Sequence, residues 1–554
     1  MFTQSIDPLN NLTVTCLVAL IPVVFLLVLL AAFRTPAWIA TLAGSIVTFV
    51  LAVAVWKMPL DIGARAYLNG SATGVWNVDW ITFWGLILFN TLSLTGLFEN
   101  FRRWLIAQGS LDVRVQTMLF AWAFGALLEG LVGFGYPWAV VAPILISLGI
   151  SDLNAIRVAA IANNAPVSYG ALGAPIISLA AVTGYPLLAL SGSVGSVVAI
   201  LALLPPWVLL YLVSGKQGML SAWPLAIVGS LGYIAGQYPV AVYMGPYLPD
   251  VTGAIVCFAS LLILLKFWEP KVVLGYGGVP LDAAALVRTN RAHGLTPTEV
   301  WQAWMPFGIL LGVVALWTWP TSPLPKISWF LTRAVGCVPN PAVACTLDKP
   351  NVTAVFNFTP FGGGTAIFAS WLLIAVVLMA MGKLNGKRIG EVFRKTFHQM
   401  WGALLVGFFI FGLAYIFNFS GMATSLAKGL SSSLGTAFII VSPILGFIGV
   451  ALSGSNTSTN AMFGKFQALV GVQLGFPPLL LPTFNSVGAE IGKPVAPQTA
   501  SVGVSTSKFV RKEGDVIRHN MGWTFVLLAY LIVIAVAMFY LHPASMDLPA
   551  APPG

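Results

Sequence analysis

Phe124-Gly125-Ala126-Leu127-Leu128-Glu129-Gly130 and Ile448-Gly449-Val450-Ala451-Leu452-Ser453-Gly454 are the two stretches on which the fold turns. Each closes an apolar run with a polar side chain and a glycine. Each sits at the same place in a longer pattern. Thr95-Gly96-Leu97 and Ser420-Gly421-Met422 end a span before them. Asn163-Asn164-Ala165-Pro166 and Asn485-Ser486 follow them. The first is then continued by Gly170-Ala171-Leu172-Gly173-Ala174-Pro175, the second by Gly488-Ala489 and Gly492-Lys493-Pro494-Val495-Ala496-Pro497-Gln498. Gly96 to Gly130 is 34 positions and Gly421 to Gly454 is 33; Gly130 to Asn163 is 33 and Gly454 to Asn485 is 31. Agreement at two successive intervals, with matching residue types, marks a repeat.

The solvent of this chain follows from composition. Of 554 residues, 58% are hydrophobic and 8% charged, against roughly 25% charged in soluble domains. No soluble fold hides that much apolar surface, so a lipid bilayer is the expected partner. Apolar spans are predicted near 12–33, 36–56, 78–98, 187–212, 220–238, 249–268, 301–319, 361–381, 399–419 and 522–541. The first runs on past signal-peptide length with no charged segment before it, so it reads as an anchor. The net charge of +10 sits between spans, without nucleic-acid-reading patterns, and nucleic acid is not expected as a partner.

Loop charges set the orientation. Arg34, Arg102/Arg103/Arg114, Lys216, Lys271/Arg288/Arg291, the cluster from Lys383 to Lys395, and Lys508/Arg511/Lys512/Arg518 can all be placed inside without contradiction. Both termini and the loop 320–360 then lie outside an inner membrane. Region 115–184 begins inside and ends outside, and region 436–506 does the reverse, so the related units are expected to be inverted repeats. The predicted fold is an all-α polytopic membrane protein, a single transport domain over 1–554. It has a first repeat core at 78–184, linking spans at 185–398, a second repeat core at 399–506 and a last span at 522–541.

Gly, Pro, Asn and Ser at membrane depth break helices, and broken backbone survives there only under protein or beside a watery cavity. Paired broken helices in inverted repeats point to the binding site of a secondary transporter. Their free N–H groups and positive dipole ends suit a carboxylate. A channel needs a continuous lined pore. An intramembrane enzyme needs a nucleophile–base pair or a metal cluster, and His293, His398, His519 and His542 lie in loops or at a span end without metal-ligand spacing. No metal, cofactor or catalytic residue is expected.

The residues quoted above resemble the L-lactate permease family. Ala123 to Pro137 is similar to its FGA-[FL]-LEG-x-x-GFG-x-P motif. Asn163-x-Ala165-Pro166-Val167-x-x-Gly170-Ala171-x-Gly173-x-Pro175 follows at the family's distance. Ser453-Gly454-Ser455-Asn456-Thr457-Ser458-Thr459-Asn460-Ala461 and Gly492-Lys493-x-x-x-Pro497-Gln498 complete the match. The resemblance implies proton-coupled uptake of L-lactate or a related 2-hydroxy monocarboxylate such as glycolate. It also implies re-entrant hairpins whose tips carry Ser-Asn-Thr, an elevator-type mechanism and a homodimer. The alternatives are a Na⁺-coupled organic anion transporter and, behind it, an anion channel. The chain departs from the family pattern at Asn456, where the family has Asp, at Arg157, Lys465 and Glu490, and in the bulk of Tyr136-Pro137-Trp138.

Glu129 and Glu490 are the carboxylates read as lying at membrane depth. Glu129, inside the shared motif, is the predicted proton-coupling residue; its plainer role is to cap the broken hairpin. Substrate contacts are expected from Gly133, Phe134, Gly135, Asn163, Asn164, Ser168 and Tyr169 in the first unit. In the second they are expected from Ser453, Ser455, Asn456, Thr457, Asn460, Asn485, Lys493 and Gln498. The tip hydroxyls and amides equally suit satisfying the tip's own backbone. Lys493 suits a counter-charge to a bound anion or a permanent pair with Glu490 or another carboxylate. Lys465 and Glu490 are expected to face each other, since a lone intramembrane charge is costly. Cys337 and Cys345, in the outside loop, are expected to form a disulfide. Cys16 and Cys257 read as small hydrophobes.

Overall fold

The computed structural model describes all residues except 1, 109, 134, 282–294, 320, 321, 323, 325, 326, 328, 338–351, 506–512 and 550–554. Among the described residues, ten helices are long and apolar enough to cross a membrane, or up to twelve if each bent pair counts as one span. Three begin well before the sequence expectation. The third runs as Leu60–Leu94 rather than from 78, the ninth as Gly386–Ser420 rather than from 399, and the last as Glu513–Leu541 rather than from 522. Each missed start is a polar but helix-forming segment continuous with an apolar run. Hydropathy sees only the apolar part, and the backbone continues through both.

The fold is not wholly helical. β1 (Phe2–Thr3) pairs in parallel with β2 (Trp329–Cys337), which pairs antiparallel with β3 (Val352–Phe358). The register sets Phe2 against Gly336 and Trp329 against Phe358. β2 and β3 are rich in aromatic and β-branched residues, which favour strands, and they lie inside what reads as one long loop. The expected Cys337–Cys345 disulfide falls outside the described residues. Cys16 and Cys257 are free thiols, Cys16 half-buried and Cys257 buried.

Both units contain a helical hairpin followed by a broken helix. In the first, Gly125–Leu131 and Tyr136–Ser147 form the hairpin, turned at Gly133 and Gly135 with φ of +66° and +77°. Asp152–Ala162 and Val167–Thr183 then meet at a 70° bend. In the second, Phe438–Ser453 and Asn456–Leu474 form the hairpin, turned at Gly454 with φ of +74°. Leu480–Gly492 then ends at Lys493–Val495, and Pro497–Ser505 follows. Helix Gly170–Thr183 packs on Asn456–Leu474, so the broken helix of one unit lies on the hairpin of the other.

A wall of longer helices stands beside these units. Gly386–Ser420 packs on Ala37–Ala54 and on Leu60–Thr73. The contact continues into a π-helical turn, Gly74–Asp79. Small residues let backbones approach in membranes, where packing rather than the hydrophobic effect drives association. A Cβ on Gly74 would stand 2.6 Å from the Gly407 carbonyl oxygen and 2.8 Å from the Phe411 ring. Gly74→Ala is therefore expected to destabilise the protein by about 1–3 kcal/mol through overpacking, whereas Gly390→Ala, with nothing within 4 Å of the added carbon, should not. Thermal unfolding of the purified protein in detergent compares the two; equal midpoints would refute this packing.

Candidate functional site

The two units and the wall surround a cavity of about 140 Å³. The first unit lines it with Glu129, Gly133, Val167, Gly170 and Ala171. The second lines it with the tip 453–458 and with Lys493, Gln498 and Thr499. The wall contributes Leu26, Thr41, Asp79, Thr82, Gly407 and Phe411.

Its charged centre joins the two units. The Lys493 ammonium donates to Glu129 Oε1 at 2.5 Å, with 7% and 2% of the two side chains exposed. Asn163 Nδ2 donates to the other oxygen, Oε2, at 3.1 Å. Glu129 stands in the last turn of Gly125–Leu131, and Lys493 directly follows Leu480–Gly492, so two helix breaks bring the charges together. Gly170 leaves the carboxylate its space, because a Cβ there would lie 2.5 Å from Oε1. The next residues, Ala171 and Leu172, take left-handed φ of +47° and +58°. Side chains other than glycine pay roughly 1–2 kcal/mol each for that conformation, and such strain gathers at functional sites.

The second tip is held mostly by its own groups. Ser455 caps Asn456–Leu474 by accepting from the Ser458 N–H. Ser453 Oγ accepts from the Ser455 N–H. Asn456 Nδ2 donates to the Ser486 carbonyl at 3.2 Å, while its Oδ1 has no protein partner. Ser178 donates to the Thr457 carbonyl at 2.8 Å.

Behind the tip runs a buried polar chain. Asn460 donates to the Pro175 carbonyl and to Ser486 Oγ, Asn485 donates to Asn460 Oδ1 at 2.9 Å, and Gln467 donates to Asn485 Oδ1 at 2.7 Å. Ser168 meets Ser486 through their hydroxyls at 3.0 Å, and the Tyr169 hydroxyl donates to the Ser191 carbonyl. This chain ties the broken helix of the first unit to that of the second.

The expected residues therefore separate. Glu129, Gly133, Ser453, Ser455, Asn456, Thr457, Lys493 and Gln498 line the cavity. Asn163, Ser168, Tyr169, Asn460 and Asn485 sit behind it and position its walls. Asn164 is buried with both amide atoms lacking a protein partner. Gly135 packs its backbone on Thr499. Phe134 falls outside the described residues.

The expected Lys465–Glu490 pair is not formed. Lys465 donates to the Thr183 carbonyl at 3.1 Å, and Glu490 Oε1 accepts from the Ser168 N–H at 2.7 Å. Each uses the open backbone end of a neighbouring helix instead. Of the two uses weighed for Lys493, the structure shows a carboxylate pair, and Glu129 is the partner rather than Glu490.

A family model described as L-lactate permease matches residues 15–544. The chain belongs to the L-lactate permease family. It is 31% identical to an L-lactate permease of Bacillus subtilis (strain 168), over 99% of this chain and 100% of that one. It is 32% identical to a glycolate permease of Escherichia coli (strain K12), over 98% and 99%. It is 29% identical to an L-lactate permease of the same strain, over 98% of both. These relatives are permeases, not enzymes. The YdaH transporter of Alcanivorax borkumensis aligns over 97% of this chain and 99% of its own at 16% identity, with a TM-score of 0.41, too low to establish a shared fold.

In this L-lactate permease family member, the sequence reading took Glu129 and Glu490 as the membrane-depth carboxylates; two more are buried in spans. Asp79 and Asp250 are 6% and 1% exposed. Asp250 accepts from the Tyr233 hydroxyl at 2.8 Å and abuts Gly130. Both sit beside the end of an apolar run, where a carboxylate reads as interfacial. The early start at Leu60 signals Asp79, and a Pro-Asp pair opening Pro249–Phe267 signals Asp250.

Removing one partner of a buried pair strands the other charge, at roughly 3–5 kcal/mol. Glu129→Gln and Lys493→Gln alone are thus each expected to lower the unfolding temperature. The double variant should lose less than the sum, with a coupling of about 1–3 kcal/mol. Additive losses in a thermal unfolding cycle would contradict a direct pair.

Proposed function

We propose that this protein is a secondary active transporter that imports L-lactate, glycolate or a related 2-hydroxy monocarboxylate by proton symport across an inner membrane. The observation that carries the reading is the Lys493–Glu129 pair, buried in a cavity formed by two broken-helix units. The names of the relatives, L-lactate permease and glycolate permease, supply the substrate class.

A substrate carboxylate entering this cavity competes with Glu129 for the Lys493 ammonium. Once displaced, Glu129 is a buried charge without its partner, and a proton taken up there removes the uncompensated charge. Anion and proton then bind together. The energetics require such a link, because a cell interior negative by ~100 mV opposes entry of one negative charge by ~2.3 kcal/mol. A co-transported proton cancels that charge. The tip groups of Ser453, Ser455, Asn456 and Thr457, and the Gln498 amide, are then candidates for the substrate's hydroxyl and second oxygen.

The same reading takes the two units as inverted repeats that move together against the wall, as an elevator, with the protein a homodimer and both termini outside. The loop-charge pattern supports the inversion and the orientation, and the elevator and the homodimer rest on the family resemblance.

Proteoliposome transport tests the reading. The wild type should accumulate labelled L-lactate or glycolate when only a pH gradient is imposed. Glu129→Gln, which imitates the protonated acid, should still exchange internal for external substrate but lose that accumulation. Lys493→Gln should raise the apparent KM about tenfold or more, and Lys493→Arg should replace it poorly, since the guanidinium is a larger planar fork. Accumulation by the Glu129→Gln variant under a proton gradient alone would rule out coupling at Glu129. A strict need for Na⁺ in the wild type would favour the Na⁺-coupled alternative.

A further inference from the structure

Asp79 lines the cavity from the wall, on the side that carries neither Glu129 nor Lys493. It ends the π-helical turn Gly74–Asp79, a geometry that recurs at functional sites. Its Oδ2 is buried and has no hydrogen-bond partner, and among the described residues it makes no ion pair. The carboxyl lies flat on Gly407, where any Cβ would overlap both of its oxygens.

Among the described residues, the neighbouring elements bring it no counter-charge. Helix Gly170–Thr183 and helix Trp80–Leu94 carry no charged residue. In Gly386–Ser420 the last ionisable group of basic type is His398, more than two turns before Gly407. In Leu60–Thr73 the charged residues are Asp61 and Arg65, both exposed and more than three turns away. Tyr67 and Tyr415, also near this crossing, are neutral groups packed on Gly412 and Gly70.

Among the described residues, the ionisable ones that line the cavity are Asp79, Glu129 and Lys493. Glu129 and Lys493 cancel each other. An ionised Asp79 would leave the cavity net negative, in a site that the proposed function, on which this inference rests, assigns to an anion. Like charges at low dielectric repel strongly. We propose that Asp79 is a second proton-carrying acid of the cavity, and that a monocarboxylate occupies the cavity only when Asp79 is protonated. As a neutral acid it also offers an O–H donor to the substrate from the wall opposite Lys493. Substrate affinity is then linked to a proton on each side of the cavity, one taken by Glu129 as its partner is captured and one already held by Asp79.

Calorimetric binding of L-lactate and glycolate to the purified protein across a pH series tests this. Each linked proton weakens binding about tenfold per pH unit above the titration of its acid. In the wild type two linked protons are expected. Asp79→Asn should bind at least as tightly at high pH and retain one, the Glu129-linked proton. Glu129→Gln should retain the other, and the double variant should be pH-independent. An infrared carbonyl band of a protonated carboxyl, present without substrate and missing in Asp79→Asn, is the direct signature.

If Asp79→Asn folds poorly, Gly407→Ala serves instead. Its methyl displaces the Asp79 carboxyl and should move the pH midpoint of binding by several-fold in proton concentration. An Asp79→Asn variant with wild-type pH dependence overturns the proposal, as does loss of all pH dependence in Glu129→Gln alone or an unmoved midpoint in Gly407→Ala. Failure of the wild type to bind either acid at any pH overturns the cavity's assignment itself and is read separately from these.

Discussion

One ion pair organises this structure. Glu129 and Lys493 lie 2.5 Å apart with almost no access to solvent. Each comes from a different unit and stands where its helix breaks. Isolated, either charge is costly at that depth. Together they hold the first hairpin tip against the second broken helix, and the polar chain through Asn460, Asn485 and Gln467 extends that hold behind the cavity. The pair is also the point most easily disturbed by a third charge. A carboxylate that reaches Lys493 leaves Glu129 without its partner.

The surrounding packing leaves room around these charges. Glycines thin the backbone at the points where a Cβ would intrude, on Glu129 at Gly170 and on Asp79 at Gly407. Left-handed Ala171 and Leu172 aim the broken helix past the carboxylate. Some polar groups that do not face the cavity are paired with carbonyls freed by helix breaks, as Lys465 is with Thr183 and Asn460 with Pro175. Broken backbone at membrane depth thus finds partners within the protein. Among the described residues, the cavity is left with the ion pair, the unpartnered oxygens of Asn456 and Thr499, and Asp79.

Much of this was legible beforehand. Composition placed the chain in a bilayer, and interval matching found the two units. Glu129 and Lys493 stood out as charges in apolar, Gly- and Pro-rich surroundings, and seven of the expected contact residues line one cavity together with Glu129. Pairwise relations between distant residues were less legible. Lys465 and Glu490 looked complementary as two unusual charges, yet each satisfies a backbone end of another helix. The sheet formed by β1, β2 and β3 joins segments more than 300 positions apart, and no local pattern announces such pairing.

By itself the sequence determined the solvent, the approximate spans and the membership of the L-lactate permease family, because those depend on composition, periodicity and local motif. The tertiary structure alone decided which carboxylate meets Lys493, which polar residues face the cavity and which brace it from behind, and that Asp79 belongs to the site at all. Those choices depend on how breaks and close helix crossings bring together side chains hundreds of residues apart. Burial, which makes a charge either a partner or a carrier of protons, is set by what packs around it and not by its neighbours along the chain.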